Sequence, residues 1–132
     1  MTAFAAPIAE QIWDMKYRFK EADGTPIDQT VEATRRRIAS SLAAAEKDPN
    51  AWEEKFYDAL ADFKYLPAGR ITAGAGTARS VTLFNCFVMG TVPDSMGGIF
   101  DMLKEAALTM QQGGWIGYDF STIRPKGAAV EG

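Results

Sequence analysis

Val81-Thr82-Leu83-Phe84-Asn85-Cys86-Phe87-Val88-Met89 is the stretch that decides the fold of this chain. It has the length and the β-branched and aromatic content that are typical of a β-strand. Its apolar side chains are almost continuous, which predicts burial on both faces, as in a parallel or barrel sheet. Cys86 is the single cysteine, and the sequence has no histidine. Any redox partner of this thiol must therefore come from outside these 132 residues.

A helix and a second strand are predicted to follow. The helix starts at Pro93-Asp94-Ser95, and Gly113-Gly114 ends it. Its predicted buried stripe consists of Ile99, Leu103, Ala106 and Met110. The second strand runs from Trp115 to Phe120 and ends in the basic turn 124–127. The length of the crossover predicts a β-α-β unit with parallel strands. Two parallel strands do not make a stable sheet, so we expect the chain to be the start of something larger.

The first half of the chain, to about Tyr65, is predicted to be helical. Eleven of the twelve glycines lie after residue 68, which marks a change of character between the halves. We therefore predict a helical region over 1–65 and an α/β region over 66–132 that opens with a small-residue loop, Leu66 to Thr77. The three predicted helices cover 7–21, about 28–47, and a segment capped by Asn50 that carries Trp52, Phe56, Ala59 and Phe63. A turn is predicted at 23–26. The run 35–37, Arg-Arg-Arg, is predicted to lie on a solvated helix face, and the alternative is a phosphate site.

Composition limits the class of protein. Apolar residues make up 47% of the chain, so it should be globular. A net charge of −3 and a pI near 4.9 argue against binding to DNA or to an anionic membrane. No apolar run approaches the roughly 20 residues of a membrane span, and no signal peptide is recognisable. A lone cysteine fits a reducing cytoplasm, and a zinc site is not expected.

Four features could carry chemistry, and each has a structural alternative. Cys86 is either an inert buried thiol or a redox thiol facing a substrate cavity. The glycines of 69–76 form either an ordinary loop or a phosphate cradle, although they match neither a dinucleotide fingerprint nor a P-loop. Asp94 is either the N-cap of the following helix or an acceptor for a ribose hydroxyl. Arg124 and Lys126 are either solvated charges or a grip on a polyphosphate.

Taken together, these segments resemble the large-subunit family of ribonucleotide reductases, specifically its adenosylcobalamin-dependent class. The resemblance covers nearly the whole chain and includes the helical first half, with Ile12-Trp13-Asp14-Met15-Lys16-Tyr17. It is carried by three blocks in order: Leu66 to Ile71 with Ala73 to Thr77, Thr82 to Val88, and Gly113 through Gly127. The order and spacing of the three blocks are far more specific than any one motif.

The resemblance implies a mixed α/β fold, in which an N-terminal helical region precedes the first β-α-β unit of a ten-stranded α/β barrel. Members of this family reduce ribonucleotides to deoxyribonucleotides by radical chemistry. A thiyl radical takes the 3′ hydrogen, and a pair of cysteines then reduces the 2′ position. Cys86 matches the first cysteine of that pair, which an external dithiol such as thioredoxin restores. Ala68 and Gly69, together with Asn85, match the region that lines the substrate nucleotide.

The resemblance also implies regulation. Asp94 matches the carboxylate that contacts the sugar of an allosteric deoxynucleoside triphosphate, and Arg124 matches the arginine that faces its phosphates. The helix over about 95–111 would lie at a homodimer interface.

Departures from the family pattern set the expected limits of this chain. The radical cysteine, the second reducing cysteine, the catalytic glutamate and asparagine, and the adenosylcobalamin site would all lie beyond Gly132. We therefore expect the isolated chain to be inactive and to need the remainder of the reductase chain. Two alternatives stay open: a non-catalytic nucleotide-binding or regulatory fragment, and a small structural helical protein that pairs through helix 95–111.

Overall fold

The computed structural model describes residues 4–130, which form two compact units divided between Arg79 and Ser80. The first unit is helical and the second is a β-α-β unit, so the predicted mixed α/β class is confirmed. In chain order the elements are α1 (Pro7–Lys16), α2 (Val31–Ala43), α3 (Pro49–Leu60), a 3₁₀ turn (Ala61–Phe63), α4 (Gly69–Gly74), β1 (Cys86–Thr91), α5 (Met96–Gln111) and β2 (Trp115–Asp119).

Helix α1 is shorter than the predicted helix over 7–21. It ends at Lys16 because the carbonyl of Trp13 accepts hydrogen bonds from the amides of both Tyr17 and Arg18. Trp13 is its buried residue, whereas the apolar residues Ile8 and Met15 of the same helix are 60% and 73% exposed. The turn predicted at 23–26 is present and is closed by a bridge between Lys20 and Pro26.

Helix α2 begins at Val31, three residues later than predicted, because Thr30 is its N-cap and accepts a hydrogen bond from the amide of Ala33. The prediction that the arginine run 35–37 is a solvated face is wrong. Arg35 is 7% exposed, and the Arg37 side chain is 8% exposed. Arg36 alone lies at the surface, where its guanidinium pairs with two glutamates of α3.

Helix α3 is capped by Asp48, not by Asn50. The Asp48 side chain accepts a hydrogen bond from the amide of Ala51, and Pro49 occupies the first turn, where its missing N–H is not needed. The helix ends at Leu60. Phe63, expected to continue the apolar stripe of this helix, instead lies in the 3₁₀ turn with a φ of 57°.

A core of small and aliphatic side chains holds the helical unit together. Helices α2 and α3 pack closely, and the buried centre consists of Ile38, Ala39, Leu60 and Ala75, with Phe56, Tyr57 and Ile71 packed against it. Part of this core comes from the segment 66–79. The predicted boundary at 65/66 places this segment with the second half of the chain, but the segment packs on α2. The compact units therefore divide at 79/80 and not at 65/66.

The segment predicted as a small-residue loop, 66–77, contains helix α4. The Ala68 carbonyl accepts from the amides of Ile71 and Thr72, which starts the helical turn. Ile71 then packs on the core formed by α2 and α3. Tertiary packing therefore overrides the weak helix propensity of the glycines.

A buried polar network crosses the helical unit. Trp13 donates from Nε1 to the Thr34 hydroxyl at 3.1 Å, and that hydroxyl donates to Asp28 Oδ2 at 2.6 Å. Asp28 is 4% exposed and also accepts from the Phe19 amide and from the Arg37 guanidinium. The network thus joins α1, the α1–α2 connection and α2 through groups that have little access to water.

The second unit has the predicted β-α-β topology, and its two strands are parallel. Strand β1 begins at Cys86 and not at Val81, since residues 81–85 form no ladder; the Phe84 amide instead bonds to the Thr82 hydroxyl. Cys86 is the register partner of Trp115, and the register shifts between Val88 and Thr91. Helix α5 matches its predicted range.

Only one face of the two-stranded sheet is covered within the described residues. Helix α5 lies on the face that carries Phe87 and Tyr118, and the Tyr118 hydroxyl donates to the Met102 carbonyl. The opposite face is open, so Val88 is 91% exposed and Trp115 is 72% exposed. The expected burial of β1 on both faces is therefore wrong for this unit, which offers one covering helix. Of the predicted α5 stripe, only Ala106 is buried.

Phe87 on the covered face of the sheet lies in close contact with the turn between α5 and β2. A Cβ placed on Gly114 would lie 2.7 Å from Cε2 of Phe87 and 2.9 Å from Cγ2 of Thr109. Both distances are shorter than side-chain packing allows, so glycine is required where the chain turns from α5 into β2.

Within residues 4–130, no helix combines the length and apolar content needed to cross a membrane.

We predict that Thr34→Val destabilises the helical unit by about 1–3 kcal/mol, because it leaves the Trp13 indole N–H buried without an acceptor and removes a donor to Asp28. Urea unfolding followed by tryptophan fluorescence measures this. Thr34→Ser keeps the hydroxyl and serves as the matched control. A Thr34→Val protein no less stable than Thr34→Ser would contradict the network.

We predict that Asp28 makes stability depend on pH in acid. Burial raises its pKa, but hydrogen bonds from Arg37, Thr34 and the Phe19 amide outweigh this and lower the pKa below its ordinary 3.8. A lowered pKa contributes stability above the unfolded-state value, and that stability is lost as pH falls through the folded-state value. The urea concentration at which half of the protein is unfolded should therefore decrease as the pH is lowered below about 4. Asp28→Asn should make the urea midpoint less dependent on pH in this range. Asp58→Asn, at an exposed position, is the control and should leave the pH dependence unchanged.

Candidate functional site

Cys86 lies at the start of β1 on the open face of the sheet. Its side chain is exposed and shares that face with Val88 and with Trp115 on the neighbouring strand. The alternative that treats Cys86 as an inert buried thiol does not hold in this unit, because α5 covers the other face. The thiol is therefore accessible to a reacting group that approaches the open face.

Asn85 directly precedes Cys86 and is held at the edge of the ladder. Its carbonyl accepts a hydrogen bond from the Trp115 amide at 2.9 Å, while the residue itself is exposed. A backbone bond to β2 thus fixes the chain at Asn85 and Cys86, so the two side chains are presented by an ordered strand end.

Ala68 and Gly69 lie at the beginning of α4 in the helical unit, and both are exposed. The Tyr17 ring lies against Gly69, where an added Cβ would be 3.3 Å from Cε1 of the ring. At the other end of the segment Gly74 is buried, whereas Gly76 is exposed, although a Cβ added to Gly76 would meet Arg37. The start of the segment is accessible from solvent.

Asp94 and Arg124, thirty residues apart in sequence, form an ion pair. Nε of Arg124 donates to Oδ2 of Asp94 at 2.8 Å, and Nη2 donates to the Asp94 carbonyl at 3.3 Å. The interpretation of Asp94 as a helix N-cap is wrong, since Ser95 caps α5 by accepting from the Gly98 amide. Both side chains of the pair are about one-third exposed, so a ligand can reach them.

The loop 121–130 is tied to the same arginine. Nη1 of Arg124 donates to the Ala129 carbonyl at 2.9 Å, so each guanidinium nitrogen has a partner. An anion that bound Arg124 would have to replace at least one of these partners.

Asp119 at the end of β2 is an acceptor with its partners in place. The Ser121 amide and the Thr91 hydroxyl both donate to its carboxylate. The Ser121 bonds, followed by the Thr91 bond, lower the pKa of Asp119 below 3.8. It is thus ionised near neutral pH and suits a structural role better than that of a proton donor.

The helical unit also contains an apolar cavity of about 530 Å³. Aromatic side chains form much of its wall, and Gly69 and Thr72 of α4 lie at its border; the aromatic residues are Phe4, Trp13, Tyr17, Phe63 and Tyr65. Among residues 4–130, no group of three or more histidine, cysteine or carboxylate side chains is placed to hold a metal ion.

Sequence reasoning missed the polar side chains beneath α4, namely Asp28 and Arg37. A signal for burial was present on the neighbouring turn. Val31 and Ile38 are seven residues apart on one helix face, so Thr34 and Arg35 between them must share that buried face. No such spacing indicated the burial of Arg37, because that burial depends on the packing of the α4 segment against α2.

Two family descriptions match the chain in succession. "Ribonucleotide reductase, all-alpha domain" matches residues 4–80, and "Ribonucleotide reductase, barrel domain" matches residues 84–132. The division between the two matches falls beside the division between the two compact units.

Curated relatives agree with these matches. The chain is 37% identical over 117 residues to the ribonucleoside-diphosphate reductase subunit alpha of Helicobacter pylori (strain 26695), which covers 89% of this chain and 14% of that protein. It is 34% identical over 120 residues to the vitamin B12-dependent ribonucleoside-diphosphate reductase of Mycobacterium tuberculosis (strain H37Rv), covering 87% of this chain and 17% of that protein. The chain thus spans about a sixth or less of the length of these two relatives. With both of its units matched, the chain belongs to the large-subunit family of ribonucleotide reductases.

Proposed function

We propose that this chain contributes the N-terminal part of a ribonucleotide reductase, which reduces ribonucleotides to deoxyribonucleotides for DNA synthesis. The observation that carries the proposal is the match of both units to successive domains of this family. The exposed Cys86 on the open face of β1 supports it, because a reducing thiol must reach its substrate. The isolated chain is proposed to be inactive, since its one cysteine cannot form a reducing pair.

Cys86 is proposed as one of the two thiols that reduce the ribose 2′ position. The reaction breaks the C2′–O bond, forms a C2′–H bond and releases the hydroxyl oxygen as water. Two thiols supply the two electrons and two protons, and they become a disulfide. A second cysteine from the remainder of the reductase must complete the pair. An external dithiol such as thioredoxin would then restore both thiols by thiol–disulfide exchange.

The substrate nucleotide is proposed to contact Ala68, Gly69 and Asn85. Their exposure in the structure supports this role, as does the ordered backbone at each position. Ala68 and Gly69 belong to the helical unit, whereas Asn85 belongs to the β-α-β unit.

A deoxynucleoside triphosphate effector is proposed to bind at Asp94 and Arg124. Their mutual ion pair supports this proposal, because it brings a sugar acceptor and a phosphate donor to one place. A triphosphate would draw the guanidinium toward itself through charge-assisted hydrogen bonds and release the carboxylate for a sugar hydroxyl. The same placement favours the alternative of a nucleotide-binding fragment without catalysis.

Adenosylcobalamin is the proposed cofactor, on the strength of relatives named as vitamin B12-dependent. When bound, such a group supplies the initiating radical. Residues 4–130 do not fit it, because the cavity of about 530 Å³ in the helical unit is of a size suited to a drug-like molecule and not to the much larger corrinoid. The cofactor site is therefore proposed to lie in the remainder of the reductase.

Helix α5 is proposed to pair with its copy in a second subunit. Several apolar side chains on it are exposed, among them Phe100, Leu103 and Leu108. Burial of such residues in a helix–helix interface would remove apolar surface from water.

A cytoplasmic location is proposed because a lone thiol suits a reducing compartment.

We predict that Cys86→Ser abolishes multiple-turnover reduction of ribonucleotides with dithiothreitol, since serine cannot form the disulfide. The assay uses a reductase in which this chain is fused to, or co-expressed with, the remaining C-terminal part of a related reductase. Thr91→Ser is the matched control, because it keeps a hydroxyl for Asp119 at the far end of β1. Unchanged multiple-turnover reduction in Cys86→Ser would rule out the assigned role.

We predict that Arg124→Gln weakens the binding of deoxynucleoside triphosphates by about tenfold or more, because charge-assisted hydrogen bonds to phosphate are lost. Isothermal calorimetry on the same reductase measures the dissociation constant. Lys47→Gln removes the same charge from an exposed site in the helical unit and should leave the affinity unchanged. Equal affinity in Arg124→Gln and wild type would refute the effector site.

A further inference from the structure

Arg37 connects the buried network of the helical unit to helix α4. Nη2 donates to Asp28 Oδ2 at 3.0 Å and to the Thr72 carbonyl at 3.0 Å, while Nη1 donates to the Ala75 carbonyl. Nε adds further bonds to the Asp28 carboxylate at 3.2–3.3 Å. One guanidinium thus joins a buried carboxylate on one side to two backbone carbonyls of the α4 segment on the other.

The two carbonyls are groups that a short helix leaves without partners. Helix α4 has six residues, too few to be stable alone, and its last carbonyls have no continuing turn to bond to. A cation at this end also complements the partial negative charge of the helix terminus. Arg37 therefore holds the end of α4 in a defined place.

The backbone at Gly76 shows how closely this end is fitted. Gly76 has a φ of 72°, and an added Cβ would lie 2.8 Å from Cγ and 2.9 Å from the carbonyl oxygen of Arg37. The chain can leave α4 in this direction only with glycine there. At the other end of α4, the Tyr17 ring lies against Gly69.

We propose that Arg37, anchored by Asp28, is a positioning residue that sets the place of the Ala68–Gly69 segment for substrate binding. This inference depends on the proposed function, in which Ala68 and Gly69 contact the substrate nucleotide. Arg37 itself touches the far end of α4 and is assigned no contact with substrate. Because α4 is only six residues long, a shift of the end held by Arg37 is transmitted to its start.

Arg37→Lys in the reductase described above tests the inference. Lysine keeps the charge that Asp28 needs, but its single nitrogen cannot span a carboxylate and two carbonyls as the guanidinium fork does. KM for the ribonucleotide should rise about tenfold while kcat stays within about twofold, as expected when uniform substrate binding is weakened. Hydrogen exchange of the α4 amides should become faster.

Arg36→Lys is the matched control, since Arg36 lies next in sequence and pairs with Glu53 and Glu54 at the surface. It should leave KM, kcat and the exchange of α4 unchanged. The melting temperature of each variant separates positioning from stability. A role in stability alone would lower the melting temperature and the active fraction, and hence the apparent kcat, without moving KM.

Wild-type turnover in the same assay reports on the proposed function, and its absence would overturn both proposals. With an active wild type, an unchanged KM in Arg37→Lys would overturn the inference alone. A fall in kcat without a rise in KM would also overturn it, because that result assigns Arg37 to stability only.

Discussion

The ion pair between Asp28 and Arg37 is the constraint on which the helical unit depends. A carboxylate and a guanidinium lose their hydration when they are buried. This cost in free energy is offset only when the two groups are in close contact and have further hydrogen-bond partners. Here the remaining bonds come from the Phe19 amide, the Thr34 hydroxyl and the backbone of α4. The pair therefore specifies where three otherwise separate segments must meet, in addition to the apolar contacts around Ile38.

The sequence predicted the elements of this chain better than their ends and surroundings. Helical periodicity and the crossover length predicted the helices and the parallel β-α-β unit, because both patterns depend on local geometry. The late start of β1 and the helical form of α4 could not be predicted, because each depends on a distant partner. These partners are the ladder with β2 and the Arg37 guanidinium.

The candidate site shows the same division between local and distant information. Cys86 was identifiable by type and by resemblance, and the alternation along β1 explains why it points away from α5. The pairing of Asp94 with Arg124 had no local signal, since a residue before a helix normally suggests a cap. Ser95 takes that role, which leaves Asp94 available for an ion pair across thirty residues of sequence.

Gly114 affects which side chains of β1 lie on the covered face of the sheet and which lie on the open face. Because the Phe87 ring occupies the space that a Cβ at Gly114 would fill, Phe87 is held on the covered face and its neighbours are held on the open one. Side chains alternate along a strand, so inserting one residue between Cys86 and Phe87 would move the Cys86 side chain to the opposite face of the sheet. The thiol would then lie beneath α5, although no residue of the chain has been replaced. The face on which the thiol lies thus depends in part on a residue outside β1 that has no side chain, in the turn before β2.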